Sequence, residues 1–379
     1  MEQTIPIESS AGKIPFKRRI FYISIIYFGF LLLLLAIEGG ARLTLPHVSS
    51  LELFVNTPQQ RAQVANPQQV GIFEGDPLLL WRLKPNLAKV EWDFTLVSTN
   101  GQNLRAAYEV KAKAHDTIRI VCLGDSVTFG YRVPPVWPER PSDYDPEWIP
   151  YPMLLEKQLR AANPGRKIEV VAMAVPGYTS HQGLAWLRRD IDNLQPDLLT
   201  VSFGWNDASF SDAADRETIK TDWRAVFVRW TIDHSQAFAH ASKWLRARNQ
   251  APMPVRTPVP RVSEQEYVNN MREIVRLAQD HGAKVIVIGA PYRDRVTNPP
   301  EANLMIGYRS ALRSAMRLDQ IPYVEIRELT EAGYPANEGW FGELIHPNHM
   351  GHRLMTAELL KLFESSGVIP GLTIPKFTP

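Results

Sequence analysis

From residue 116 onward, short apolar runs alternate with amphipathic segments along the chain. Five apolar runs have the length and composition of buried β-strands, and they lie at 118–124, 167–175, 197–204, 284–291 and 323–329. Apolar residues at helical spacing predict helices near 151–162, 179–194, 264–281, 302–319 and 349–365. Such alternation is typical of a parallel sheet covered on both faces and built with right-handed crossovers. The pattern therefore predicts an α/β fold, a doubly wound, flavodoxin-like three-layer α/β/α arrangement around a five-stranded parallel sheet.

A longer apolar run precedes this region. Residues 20–37, IFYISIIYFGFLLLLLAI, carry no charge and have about the length that a helix needs to cross a bilayer. Four basic residues come before the run, Lys13, Lys17, Arg18 and Arg19. The positive-inside rule then places residues 1–19 in the cytoplasm as a tail. We expect residues 20–37 to be a single-pass membrane anchor, with the rest of the chain on the outer, periplasmic or extracellular, side.

A cleaved signal peptide is the alternative interpretation of this run. Gly39, Gly40 and Ala41 supply the small residues that signal cleavage uses. However, Glu38 directly follows the apolar run, no A-x-A sequence stands there, and no cysteine is available for lipid attachment. These features favour a retained anchor.

The remaining chain divides into a lead-in, a main domain and a tail. Residues 38–115 are predicted to be a linker and small β-rich lead-in, in which 89–97 alternates like one amphipathic strand. The main domain spans 116–367 with an insertion at 208–262, and 368–379 is a C-terminal tail. The Pro-rich stretch 133–150 predicts a loop beside the first strand's end. The insertion predicts two helices, one with Trp223, Phe227 and Trp230 and one around Trp244, whose aromatic residues we expect to pack on a core rather than form a substrate-binding cap or lid.

Composition narrows the function classes. The 42 basic and 40 acidic residues nearly cancel, so nothing favours nucleic acid as a partner. Cys122, the single cysteine, excludes an intramolecular disulfide and lies within the first predicted strand. We expect it to pack there and not to act as a reactive thiol.

Polar or glycine-containing motifs follow the first, second, third and fifth predicted strands. The carboxyl ends of these strands meet at one edge of the predicted sheet. They are Gly124-Asp125-Ser126, Pro176-Gly177, Gly204-Trp205-Asn206-Asp207 and Glu343-Leu344-Ile345-His346. A serine hydroxyl attacks an ester well only when a neighbouring base removes its proton. Fixed N–H donors stabilise the oxyanion that forms, and a glycine allows backbone to approach closely. The four motifs are therefore predicted to converge at one edge of the sheet, where a serine, a histidine and N–H donors would suit such chemistry.

At these residues the sequence resembles the SGNH/GDSL hydrolase superfamily, whose blocks center on Ser, Gly, Asn and His in that order. The resemblance covers about residues 116–365, and the lead-in looks more loosely like bacterial membrane-anchored members. It implies that Ser126 is the nucleophile and His346 the general base. It also implies an oxyanion hole made by the N–H groups of Ser126 and Gly177 and the side-chain amide of Asn206. No metal or cofactor is needed for this chemistry.

One position departs from the family pattern. The family has Asp-x-x-His, whereas this chain has Glu343-x-x-His346. Glutamate accepts an imidazole N–H in other serine hydrolases, so we expect Glu343 to complete the triad. The alternative is a Ser126–His346 dyad assisted by a backbone carbonyl, with Glu343 at the surface.

Neighbouring polar residues have structural interpretations. We expect Asp125 to cap the turn or helix that follows it, and Asp207 to be structural. His346, His349 and His352 do not form a metal site in this interpretation, since Pro347 separates the first from the others and no Asp/Cys set completes the ligands.

The family resemblance implies hydrolysis of short acyl esters, such as O-acetyl groups, on glycans or lipids. An O-acyltransferase that modifies envelope or exported polysaccharide would use the same residues. A non-catalytic envelope protein that binds glycans or a partner is the alternative from another class.

Overall fold

The computed structural model of the protein describes residues 15–54, 71–133, 148–248, 257–291, 300–326, 340 and 345–378. Its strands are β1 (Phe73–Asp76), β2 (Leu80–Leu83), β3 (Val90–Trp92), β4 (Thr95–Val97), β5 (Thr117–Gly124), β6 (Lys167–Ala174), β7 (Leu198–Ser202), β8 (Phe210–Ser211), β9 (Val259–Pro260), β10 (Lys284–Gly289) and β11 (Tyr323–Glu325). Its helices are α1 (Phe16–Thr44), α2 (Ser50–Phe54), α3 (Ser126–Phe129), α4 (Tyr151–Ala162), α5 (Ser180–Leu194), α6 (Trp205–Ala208), α7 (Asp215–Thr218), α8 (Trp223–His234), α9 (Gln236–Arg248), α10 (Glu264–Asp280), α11 (Pro300–Leu318) and α12 (His349–Ser366).

The central sheet has five parallel strands in the order β11-β10-β7-β5-β6. This order is that of a flavodoxin-like sheet, so the predicted fold class is confirmed. The five strands begin within a residue of their predicted starts, and the last prediction extends past 326, outside the described residues. The chain reverses its winding direction between β5 and β7, and α/β proteins bind their ligands beyond such a reversal.

Helices cover both faces of the sheet. Successive residues of β5 pack alternately against the helices of one face and those of the other. Ile120 and Cys122 pack with α4 and α12 on one face. Val121 and Leu123 pack with α5, α10 and α11 on the other. Because successive strand residues point to opposite faces, a strand covered on both faces has a continuous apolar run, which in β5 extends from Ile120 to Leu123. Cys122 is fully buried, as predicted, and burial raises the pKa of its thiol to about 12.

The lead-in folds as two hairpins, β1–β2 and β3–β4. Its side chains share a core with the sheet, and the Tyr178 hydroxyl donates to the Trp81 carbonyl oxygen. The prediction of one strand over 89–97 is wrong, because Asp93 and Phe94 form a two-residue turn in the middle of it. Both have positive φ, +41° and +57°, which suits the twist of a tight hairpin.

The insertion contains α8 and α9 as predicted, but the prediction that its aromatic residues pack on a core is wrong. The side chains of Trp223, Phe227, Trp230 and Trp244 are all exposed. The buried residues of α8 are Arg229 and Ile232, and the Arg229 guanidinium donates to the carbonyl oxygens of Pro77 and Lys220.

The chain divides into two compact units, and one comprises residues 1–49 and 231–250. Within it, α1 is the one described helix long and apolar enough to span a membrane, a property that signal sequences share. The Glu38 carboxylate near its end accepts hydrogen bonds from the Ser235 hydroxyl (2.8 Å) and from the N–H groups of Gln236 (3.0 Å) and Ala237 (3.1 Å). Glu38 therefore caps the start of α9.

Candidate active site

Ser126 lies at the turn between β5 and α3. Asp125 accepts a hydrogen bond from the Val127 N–H (2.9 Å) and caps α3, as predicted, which makes Ser126 the first residue of that helix. The turn is tight enough to require glycine at 124, where a Cβ would lie 2.1 Å from the Thr128 hydroxyl and 2.9 Å from the Ser202 carbonyl oxygen. The sharp strand-to-helix turn holds the Ser126 side chain at the carboxyl edge of the sheet.

His346 reaches this serine from the other end of the domain. Its Nε2 lies 2.7 Å from Ser126 Oγ, although the two residues are 220 positions apart. The segment that carries it leads into α12, where the Asn348 side chain accepts hydrogen bonds from the N–H groups of Met350 (2.9 Å) and Gly351 (3.1 Å). A hydroxyl and an imidazole at this distance have the geometry for proton transfer.

Gly177 and Asn206 follow β6 and β7 at the same edge. The amide nitrogen of Asn206 lies 3.0 Å from the Tyr178 carbonyl oxygen and 3.4 Å from Asp125 Oδ2. Asn206 thus contacts the residue after Gly177 and the residue before Ser126. Gly177 has φ of +85°, where a side chain would introduce strain.

Two buried aspartates support these loops. Burial raises the pKa of Asp125 to about 6. Asp207 accepts hydrogen bonds from the N–H (2.9 Å) and hydroxyl (2.5 Å) of Ser180, and burial raises its pKa to about 7. The bonds tie the loop after β7 to the start of α5, in line with the structural role predicted for Asp207.

Arg261 is a supporting residue that the sequence analysis missed. Its guanidinium makes a two-bond ion pair with Asp215 (3.0 and 2.9 Å) and donates to the Gly177 carbonyl oxygen (2.8 Å). Asp215 also accepts from the Thr179 hydroxyl (2.8 Å), and both charged side chains are buried. Arg261 lies at the end of the insertion, and no local motif in the sequence distinguishes it from other arginines.

Three further residues from the sequence analysis remain to be described: Glu343, His349 and His352. Glu343 lies outside the described residues. The ring of His349 stacks on Trp148 with centroids 4.0 Å apart. His352 is buried, its Nδ1 accepts from the Tyr151 N–H (3.2 Å), and burial lowers its pKa to about 3. Within the described ranges, no cluster of three or more His, Cys, Asp or Glu side chains has the arrangement to hold a metal ion.

Comparison with known families decides what kind of protein carries this site. The model of the GDSL-like lipase/acylhydrolase family matches residues 122–354, more than half of the chain. The chain belongs to the GDSL-like lipase/acylhydrolase family. The resemblance predicted from the four motifs is confirmed, and the protein is an ester-hydrolysing enzyme. No curated protein matches it.

Solved structures of low sequence identity resemble this GDSL-like enzyme. LAE5, an α/β hydrolase from the metagenome of Lake Arreo, is 18% identical, with coverage of 67% of this chain and 97% of that chain and a TM-score of 0.41. The lipase/acylhydrolase of Enterococcus faecalis is 17% identical, with coverages of 68% and 98% and a TM-score of 0.43. An acetylxylan esterase of Geobacillus stearothermophilus, solved as a catalytic mutant, is 17% identical, with coverages of 66% and 95% and a TM-score of 0.41.

Proposed function

We propose that this GDSL-like enzyme hydrolyses short acyl esters through an acyl-serine intermediate on Ser126. The observation that supports it most is the 2.7 Å separation of Ser126 Oγ from His346 Nε2. His346 accepts the hydroxyl proton as Oγ attacks the acyl carbonyl carbon, and it returns that proton to the departing alcohol. Water then attacks the acyl-serine with the same imidazole as base, which releases the carboxylic acid and restores the serine.

The oxyanion of each tetrahedral intermediate needs fixed donors. We assign this role to the backbone N–H groups of Ser126 and Gly177 and to the Asn206 side-chain amide, because all three follow adjacent strands of the sheet. One such donor contributes about 10²–10³ to the rate. Glu343, three residues before His346, is the proposed acceptor for the second imidazole N–H.

The proposed substrates are O-acetyl or other short acyl esters of glycans or lipids. The family description, lipase/acylhydrolase, supports the ester bond and leaves the alcohol half to the individual enzyme. Neither step of the proposed reaction requires a metal or an organic cofactor, since the nucleophile, the base and the oxyanion donors are all protein groups.

The intermediate is testable by trapping. Full-length enzyme in detergent, mixed with excess 4-nitrophenyl acetate and quenched in acid, is expected to carry one acetyl group on the peptide that contains Ser126. Mass spectrometry of the digest reads the position. Acetate on another residue only, or enzyme that turns over no ester at all, would refute the assignment. Transfer of acetyl to an added sugar in preference to water would instead identify an acyltransferase.

We further propose that α1 is a retained single-pass anchor with its N-terminus in the cytoplasm and the enzyme domain on the outer side. Basic residues at 17–19 precede the apolar stretch of α1. Glu38 and Ala41 support retention, because Glu38 caps α9 and Ala41 is buried. Signal cleavage after Ala41 would remove the capping carboxylate and leave the first N–H groups of α9 without it.

Retention predicts an intact, membrane-bound product. After expression, the protein is expected to stay in membranes washed with alkaline carbonate and to show the mass of the uncleaved chain. Protease added outside the cytoplasmic membrane is expected to degrade the enzyme domain, with a cytoplasmic protein as the control for intactness. A soluble product that begins near residue 42 would contradict both the anchor and its retention.

A further inference from the structure

The tip of the β3–β4 hairpin has an unusual residue in a strained position. Asp93 and Phe94 form its two-residue turn with φ of +41° and +57°. Aspartate tolerates this region, but glycine or asparagine is usual at the second position, and a bulky residue there is a steric outlier. The Phe94 side chain is 57% exposed, so burial does little to offset the strain. Backbone strain of this kind clusters at active sites and ligand-binding segments, so it points to a functional role for Phe94.

The hairpin tip connects to the catalytic pair through one side chain. Tyr131, which follows α3, donates its hydroxyl proton to Asp93 and contacts the Trp92 ring edge-on with centroids 5.8 Å apart. On its other side the Tyr131 ring lies 4.4 Å from the His346 ring. The turn is therefore two contacts away from the general base proposed above.

Arg132 places a cation beside the two aromatic rings. Its guanidinium carbon lies 5.4 Å from the center of the Phe94 ring and 4.9 Å from that of Tyr131. Its Nη2 is 3.5 Å from Asp93 Oδ1, and its Nε has no hydrogen-bond partner within the described part of the chain. Aromatic surface, a carboxylate and guanidinium N–H groups thus meet at one edge of the site.

We propose that Phe94, Asp93, Tyr131 and Arg132 form the subsite for the alcohol half of the ester, and that this half is a sugar ring. A pyranose has an apolar C–H face that packs on an aromatic ring and hydroxyls around its rim that bond to charged groups. A fatty chain would instead be bound in a closed, mostly apolar pocket, whereas Phe94 is exposed and flanked by two ions. The inference rests on the proposed function, since the acyl carbon must lie at Ser126 for the sugar to reach the hairpin.

The test compares two acetate esters that differ in the alcohol. Full-length enzyme, in a detergent without a sugar head group, is assayed on a peracetylated methyl glycoside and on vinyl acetate. Phe94→Ala is expected to lower the ratio of the two kcat/KM values about tenfold, the size expected for one lost aromatic contact. Phe94→Tyr should restore the ratio to within about twofold, because it keeps the ring. Phe227→Ala removes a phenylalanine of similar exposure, 59%, from α8 and is the matched control.

The unfolding temperature shows whether the Phe94 ring serves ligand binding or stabilises the hairpin by packing. Phe94→Gly relieves the left-handed strain, so its unfolding temperature is expected to be no lower than that of the unsubstituted enzyme. A fall of more than about 5 °C would mean that the Phe94 ring stabilises the hairpin. That result would overturn the proposal, as would an unchanged selectivity ratio in Phe94→Ala or an equal loss in Phe227→Ala.

Binding of the glycoside can be measured without turnover, so the sugar subsite can be tested separately from the proposed mechanism. Ligand-observed NMR of the same glycoside with Ser126→Ala is expected to show binding that Phe94→Ala in that background weakens about tenfold. If the unsubstituted enzyme hydrolyses neither acetate but this binding difference is present, the mechanism fails and the sugar subsite stands. Equal binding by both variants overturns the subsite whatever the enzyme hydrolyses.

Discussion

Alanine at position 126 is expected to lower kcat for ester hydrolysis about 10⁶-fold, the loss seen when the nucleophile of a serine hydrolase is removed. The expectation follows from the Ser126 hydroxyl, which lies 2.7 Å from His346 Nε2, since the proposed acyl-serine intermediate cannot form without it. His346→Ala should cost about as much as Ser126→Ala. The double variant should lose little more, because the two groups act as one unit and their effects do not add.

The measurement is steady-state hydrolysis of 4-nitrophenyl acetate by each variant. Ser314→Ala serves as control, because Ser314 is exposed on α11 and its hydroxyl bonds only to the Ser310 carbonyl oxygen among the described hydrogen bonds. Activity in Ser126→Ala within about tenfold of the unsubstituted enzyme would show that another nucleophile operates. Losses that multiply in the double variant would show that Ser126 and His346 work independently.

The second large effect concerns stability. Arg261→Met should lower the free energy of unfolding by about 3–5 kcal/mol, because it leaves the buried Asp215 carboxylate without its ion-pair partner. It should also lower kcat in the molecules that remain folded, since the Gly177 carbonyl loses the donor that fixes its peptide. Denaturant unfolding of the full-length enzyme in detergent gives the first quantity.

Two further variants show whether the cost comes from the unpaired charge. Arg216→Met breaks an exposed pair, with Arg216 62% exposed and 3.4 Å from Glu266, and should change stability by less than about 1 kcal/mol. Arg261→Met combined with Asp215→Leu removes both charges and should recover most of the loss. Equal stability of Arg261→Met and Arg216→Met would mean that the buried pair contributes no more than a surface one.

The sheet could be predicted because its strands are buried on both faces. A strand such as β5 then has consecutive apolar residues, from Ile120 to Leu123, and this pattern is visible without tertiary information. The positions of Ser126, Gly177 and Asn206 follow from the same argument, because each comes just after a strand whose direction the α/β pattern fixes.

The parts that could not be predicted depend on contacts distant in sequence. Arg261 matters only because folding brings it to Asp215 and Gly177, 46 and 84 positions away. The hairpin over 89–97 was hidden because the polar and apolar alternation continues through its turn. On α8 the spacing of aromatic residues indicated a helix but not which face is buried, and Arg229 lies on that face.

The separation of the catalytic pair along the chain has a consequence for biosynthesis. Ser126 is synthesised 220 residues before His346, which stands just before α12. On the proposed mechanism, a partly synthesised or C-terminally clipped polypeptide holds an inert alcohol that no imidazole activates. Hydrolytic competence then depends on synthesis of the segment that carries His346, so shorter copies of the chain cannot hydrolyse esters by this mechanism.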